Sequence, residues 1–164
     1  MLENFDLNCQ EFVEDIINQF AENSITDLIL DLRFNPGGAV AQSRYLASAI
    51  AGTSHLDDTF VKVTVRNGNT QDWKFRRGPN DQDGLGIAKD LGLDRLYVIG
   101  SYGTASASEL VINSLRGIDF PVYIYGGRTE GKNVGMTTTQ TSYKVRTYLF
   151  SPIAFRVANA KGFG

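Results

Sequence analysis

Apolar and polar positions along the chain repeat with two different periods, and each period predicts its own kind of element. Phe12, Val13, Ile16, Ile17 and Phe20 recur at helical spacing, which predicts an amphipathic helix over residues 9–22. Asp27–Arg33 (DLILDLR) is a short apolar run of strand length and reads as a buried strand. Phe34–Gly38 is a turn, and Val40–Ile50 reads as a second helix that Gly52 stops. Phe60–Val65 alternates. Asn67-Gly68 then offers a hairpin turn before Gln71–Phe75. Arg76–Gly86 is polar and Gly-rich and reads as a mobile loop. Leu96–Ile99 is another buried strand. Gly103–Leu115 turns into a third helix stopped at Gly117, and Val122–Tyr125 is a strand. After the Gly-rich Gly126–Gly135, the stretch Met136–Val157 is rich in Thr, Tyr, Val and Phe and reads as extended.

Strand and helix alternate twice, with Gly near each strand's exit, which is the pattern of α/β layering with short βα turns. In such folds sites collect beyond the C-terminal ends of strands. Three segments lie there: Asn35–Gly38, Gly103–Glu109 and Gly126–Lys132. There is no internal repeat and no linker, so residues 1–164 read as a single domain.

Composition removes several classes of function. Apolar residues make up 42% of the chain, ordinary for a globular domain that buries a core. The net charge is −2, with Lys and Arg scattered among acids, which gives nucleic acid no basic face. No apolar run approaches the ~20 residues of a membrane span. The single cysteine, Cys9, excludes an intrachain disulfide, and no Cys/His cluster has zinc-ligand spacing. No cofactor is expected. Met1-Leu2-Glu3-Asn4 is too polar to open a secretory signal, and the chain is expected to be a fragment of a longer protein.

Each strand-end segment has a plain reading beside a chemical one. In Arg33-Phe34-Asn35-Pro36-Gly37-Gly38, Pro fixes one backbone dihedral and the glycines free the next ones. This is an ordinary strand-to-helix turn, and it can also present N–H groups to an oxyanion. In Gly103-Thr104-Ala105-Ser106-Ala107-Ser108-Glu109, Ser106 and Glu109 form a capping box. A nucleophile at that place would have helix N–H groups beside the oxygen that becomes negative during attack. Gly126-Gly127-Arg128-Thr129-Glu130-Gly131-Lys132-Asn133 matches much of a phosphate-binding loop. Asn133, however, stands where Ser or Thr should reach magnesium, and the following Val134–Thr141 has no helical apolar face. A nucleotide site is therefore rejected.

The only histidine is His55, in the polar stretch Ser54-His55-Leu56-Asp57-Asp58, and it reads as a surface residue. Cys9 lacks any motif that would pair it with His55 as a thiol nucleophile. If the chain is a serine hydrolase, a lysine must be the base.

Three pieces in order, Asp27–Gly38 (DLILDLRFNPGG), Gly103–Glu109 (GTASASE) and Thr129–Asn133 (TEGKN), carry a resemblance. Over nearly its whole length the chain resembles the tail-specific, or carboxy-terminal processing, serine proteases. That resemblance implies an α/β fold with the spiral Clp protease/crotonase-like core built of βα units. It implies Ser106 as nucleophile and Lys132 as base, with the Ala107 N–H and that of Gly37 or Gly38 forming the oxyanion hole. It further implies polypeptide substrates cut near their C-terminal tails, and an extracytoplasmic bacterial origin with the export signal outside this chain. Relatives often carry a PDZ domain, and no segment here reads as one.

Lysine is a base only when neutral, and at its ordinary pKa of ~10.4 roughly one molecule in 2,500 is neutral at pH 7. A shift of about three units, ~4 kcal/mol of environment, is what burial must supply. The chain departs from the family at two places. Met136 stands where a Gln often orients the amine, so Glu109 is expected to take that role. Glu130 stands where an aromatic is common, and it is expected to point to solvent and away from Lys132. The rival readings are a non-catalytic peptide- or ligand-binding module on the same fold and a crotonase-like acyl-CoA enzyme, for which no residue speaks.

Overall fold

The computed structural model describes residues 1–75 and 89–164, and the side chain of Cys9 also falls outside the described set. The expected loop Arg76–Gly86 therefore lies outside the described residues. Helix α1 (Gln10–Glu22) follows a single 3-10 turn at Leu7–Cys9, whose start the Asp6 side chain caps through the Asn8 N–H at 3.0 Å. Val13 and Ile17 bury its apolar face, as their spacing predicts. Phe12 does not join them and is 67% exposed. It precedes Val13 by one residue, about 100° around the helix and off the stripe set by the pair four apart.

Strands β1 (Asp27–Asp31), β4 (Arg95–Gly100) and β5 (Val122–Gly126) form a parallel sheet in the order β1-β4-β5. Between β1 and β4 run α2 (Val40–Ala51) and the antiparallel hairpin β2 (Thr59–Val65) and β3 (Thr70–Lys74); between β4 and β5 runs α3 (Ala107–Gly117). The alternation of strand and helix is thus present. The expectation that β1 and β4 are buried throughout is corrected. Leu28, Leu30, Leu96 and Val98 face the core, whereas Ile29 is 68% exposed beside the stacked pair Tyr97–Tyr123. Among the described residues only one face of this sheet packs against the core, so burial alternates along β1 and β4.

The extended C-terminal stretch resolves into β6 (Val134–Met136), β7 (Thr139–Tyr143), β8 (Arg146–Phe150) and β9 (Ile153–Ala158). Strand β9 pairs with both β2 and β6 to make a second sheet in the order β3-β2-β9-β6, while among the described residues β7 and β8 pair only with each other. Gly52 ends α2 at φ 80° with its N–H on the Ser48 carbonyl, and Gly68 turns the β2–β3 hairpin at φ 86°. On α3, Ala107, Leu110, Val111, Ser114 and Leu115, which helical spacing puts on one face, are all buried.

The core gathers Phe5, Leu32, Phe60, Val61, Phe75, Leu96, Val98, Val111 and Leu115, each at most 1% exposed. Phe60 meets Phe75 edge to face at 5.5 Å. The parallel register sets the site. Asp31 lies level with Ile99 and Ile99 with Tyr125, so all three strands leave the sheet at one edge. The three segments predicted to matter are the three connections that leave it there.

Phe60→Ala should lower the unfolding free energy by about 3–5 kcal/mol, read by urea unfolding with unchanged slope. A loss below about 1 kcal/mol would mean that the β2 face is not core.

Candidate active site

Threonine and serine hydroxyls stitch the turn that carries Ser106 to the segment that follows β1. Buried Thr104 donates from Oγ1 to the Leu32 carbonyl at 2.7 Å, and Ser101 Oγ donates to the Arg33 carbonyl. The Ala105 N–H and Ser108 Oγ both donate to the Asn35 carbonyl, at 3.1 and 3.0 Å. The third connection is tied in by Gly127 N–H to Gly100 O and Glu130 N–H to Thr104 O, at 2.9 and 3.0 Å. These bonds press the glycine turn onto the Ser106 turn. Gly37 has φ 105°, and a Cβ there would lie 2.8 Å from both Ala107 N and Ser106 Cβ. No other residue type fits at that separation.

Ser106 stands immediately before α3 with φ 56° and ψ −115°, a conformation rare outside glycine. Such strain persists only where surrounding contacts hold it, and it clusters at functional sites. The contact that holds Ser106 is Glu109, whose Oε2 accepts the Ser106 N–H at 2.8 Å. That is one arm of the capping box expected from sequence. The same carboxylate also accepts the Gly131 N–H at 2.6 Å and the Lys132 N–H at 2.8 Å. Glu109 therefore binds the main chain of Lys132, and no bond joins it to the lysine amine.

Two donors near Ser106 are left unpaired. The Ala107 N–H, at the first position of α3, has no acceptor among the described residues, and neither has the Gly38 N–H. The Gly37 N–H is already taken by Asn35 Oδ1 at 2.9 Å. Of the two glycines named from sequence, Gly38 is the one with a donor to give.

Ser106 and Lys132 border two adjoining cavities. One, of about 210 Å³, is lined by Gly38, Ala107, Val40, Met136 and Phe155 along with the pair. The other, of about 260 Å³, includes Glu109, Asn113, Arg116 and Phe163. Lys132 is half-buried, and its Nζ makes no hydrogen bond or ion pair among the described residues. Glu130 is exposed and forms no ion pair with Lys132. Met136 lies in β6, 47% exposed. The residues after Lys132 enter a strand instead of a helix, which removes the architecture a phosphate-binding loop requires. His55 pairs with Asp58 at 2.7 Å and lines neither cavity. Asp31, at the end of β1, has its carboxyl held below the usual range by Arg33's side-chain bonds first and its backbone N–H second. That pair is an exposed anchor of the turn and lies outside both cavities.

Sequence reasoning attached no role to Asn35 or to the first residues of the chain. Asn35 is 0% exposed, and the segment carrying Leu2 and Phe5 is laid across the glycine turn. The available signals were an Asn two residues ahead of a Gly, which favours an Asx turn, and an isolated Phe5 ahead of the first helix.

The fold and site define a class: a mixed α/β chain that presents a serine at a strained helix entry beside unpaired backbone donors and a lysine. Within that class, the model of peptidase family S41 matches residues 1–155, and the chain belongs to that family. It is 26% identical over 139 residues to a probable CtpA-like serine protease of Staphylococcus haemolyticus, covering 85% of this chain and 25% of the relative. The corresponding Staphylococcus aureus protein is 27% identical over 128 residues, 78% of this chain and 23% of its own. The chain thus spans about a quarter of the length of the curated relatives it matches. Among solved structures, an S41 protease candidate from Bacteroides fragilis superposes with a TM-score of 0.81 at 21% identity, covering 99% of this chain and 42% of that one. A photosystem II D1 C-terminal processing protease superposes with a TM-score of 0.71 at 22% identity, covering 99% and 37%. At these identities the structural matches establish the fold.

Gly37→Ala should cost at least about 2 kcal/mol, because strain at positive φ and a backbone collision add. Gly68→Ala has the same kind of φ but open space around it, and should cost only about 1 kcal/mol. Thermal unfolding of the two variants checks the difference; equal losses would show that the close approach at Gly37 carries no energy.

Proposed function

We propose that this chain is the catalytic core of a serine peptidase working with a Ser106/Lys132 dyad. The observation that carries the reading is the meeting, at one sheet edge, of strained Ser106 with unpaired Gly38 and Ala107 donors and a half-buried lysine. Neutral Lys132 takes the Ser106 hydroxyl proton as Oγ forms a bond to a peptide carbonyl carbon. The carbonyl oxygen becomes negative between the two N–H groups, where preorganised donors stabilise it without reorganising. The C–N bond then breaks, and Lys132 returns the proton to the leaving amine. Water repeats the sequence on the acyl-enzyme, releasing the acid and restoring Ser106.

In this scheme Glu109 belongs to the catalytic group as a holder of main chain: it fixes Ser106 and Lys132 relative to each other. Nζ and Oγ are not hydrogen-bonded in the structure. Catalytic hydrogen bonds commonly lengthen without substrate and tighten when it binds. The same gap favours the second reading, a non-catalytic peptide-binding module on this fold. The substrates fitting the first reading are polypeptides cut near their C-terminal tails. The S41 membership and the D1-processing neighbour support that choice. We also assign the chain to the spiral Clp/crotonase type of core, on the strength of its two βα units and the second sheet beside them. It would serve as the single core domain, residues 1–164, of a longer extracytoplasmic bacterial protein.

A fluorophosphonate probe should label the full-length protein, and Ser106→Ala should abolish labelling. Lys132→Met should slow it at least about 100-fold, since the base step is worth 10²–10⁴. Absence of labelling in the parent protein favours the binding module.

A further inference from the structure

Asn35 is fully buried, and every polar group it owns is paired. Its N–H donates to Leu32 O at 3.0 Å, and its carbonyl receives Ala105 N–H and Ser108 Oγ. Its side chain spans two further segments. Oδ1 accepts the Gly37 N–H at 2.9 Å, and Nδ2 donates to the Leu2 carbonyl at 3.1 Å. Leu2 begins a strap that runs along the glycine turn. The Leu2 N–H donates to Asp31 O at 3.0 Å, the Phe5 N–H to Gly37 O at 2.9 Å, and the Ala39 N–H to Phe5 O at 2.7 Å.

These bonds decide the direction of a single N–H. In a trans peptide the carbonyl of one residue and the N–H of the next point in opposite directions. Phe5 holds the Gly37 carbonyl, so the Gly38 N–H in the same peptide plane is turned away from the strap. Gly38 borders the cavity that holds Ser106 and Ala107. Asn35 controls this plane from both sides. It consumes the Gly37 N–H, which fixes the preceding peptide, and it anchors through Leu2 the strap whose Phe5 grips the Gly37 carbonyl. Glycines at φ 105° and 142° have no side chains to resist rotation, so the plane depends on such external holds.

We propose that Asn35 is a positioning residue for the oxyanion hole, aiming the Gly38 N–H at the oxygen that develops on acylation of Ser106. This rests on the serine-peptidase reading above. It adds that a buried amide, with the Leu2–Phe5 strap, selects which glycine donates. A side chain serving only to stabilise the turn would lower the melting temperature and leave the rate of the folded enzyme alone.

The test compares two reactions of the full-length protein. One is hydrolysis of p-nitrophenyl acetate, whose transition state carries an oxyanion. The other is alkylation by iodoacetamide of a Ser106→Cys variant that also carries Cys9→Ser, in which the thiolate attacks a saturated carbon, displaces iodide and develops no oxyanion. Asn35→Ala should lower kcat for the ester about 10–100-fold with KM little changed, less than the ~10²–10³ lost when an oxyanion donor is removed outright, because the N–H remains and only its aim is lost. It should leave the alkylation rate within about twofold. Asn35→Ser keeps a hydroxyl that can accept the Gly37 N–H but is too short to reach Leu2, and should fall between Ala and the parent. If Asn35→Ala does not fold, Asn35→Ser carries the same comparison. An ester rate within twofold of the parent in either folded variant overturns the proposal, as does an equal fall in both reactions. A parent protein that neither hydrolyses the ester faster than its Ser106→Ala variant nor labels with fluorophosphonate instead sinks the peptidase reading, and this proposal with it.

Discussion

Three backbone N–H groups, from Ser106, Gly131 and Lys132, converge on the one carboxylate of Glu109. Hydrogen bonds to a carboxylate are roughly twice as strong as neutral ones, and an N–H bond left unmade in a half-buried place is costly. The site is assembled around this contact. It holds the strained serine at the entry of α3 and draws the loop after β5 across to it. Without it, among the described residues the segment bearing Lys132 would have only the Glu130–Thr104 bond to the Ser106 turn and the Gly127–Gly100 bond to the end of β4. The expected pairing of Glu109 with the lysine amine gives way to a pairing with the lysine's backbone. A main-chain clamp leaves the amine free to move, which suits the proton exchange proposed for it.

The other half of the site depends on proximity that only glycine allows. At Gly37 the turn after β1 comes within 2.8 Å, measured to a hypothetical Cβ, of the start of α3. Hydroxyls of Ser101, Thr104 and Ser108 bridge the two turns by donating to the carbonyls of Arg33, Leu32 and Asn35. Small residues and short hydroxyls are therefore the structural material of this region. The chemistry proposed for it draws on the donors left over: the Gly38 N–H and the Ala107 N–H.

Much of this could be read in advance. The helical and alternating patterns located α1, α2, α3 and the β2–β3 hairpin to within a few residues, because one-sided burial imprints its period on the sequence. The strand-exit rule picked out the three connections that the parallel register brings to one edge. The misread positions share a cause. Phe12 and Ile29 are apolar but exposed, and hydrophobicity alone does not say which face of an element is covered. Asn35 passed as one more turn residue, since its partners Leu2 and Gly37 lie 33 and 2 positions away and only the nearer is visible as a local motif.

By itself the sequence determined the types and order of the elements, the absence of a usable histidine near a nucleophile motif, and the residues that could carry chemistry. These follow from local periodicity and from side-chain inventory, which need no knowledge of distant contacts. Tertiary structure alone decided that Gly38 rather than Gly37 has a free donor, that Glu109 binds main chain rather than amine, and that Asn35 and the Leu2–Phe5 strap frame the glycine turn. Each of these depends on where a particular N–H points. That direction is set by partners from segments far apart in the chain, which meet only when the sheet has formed.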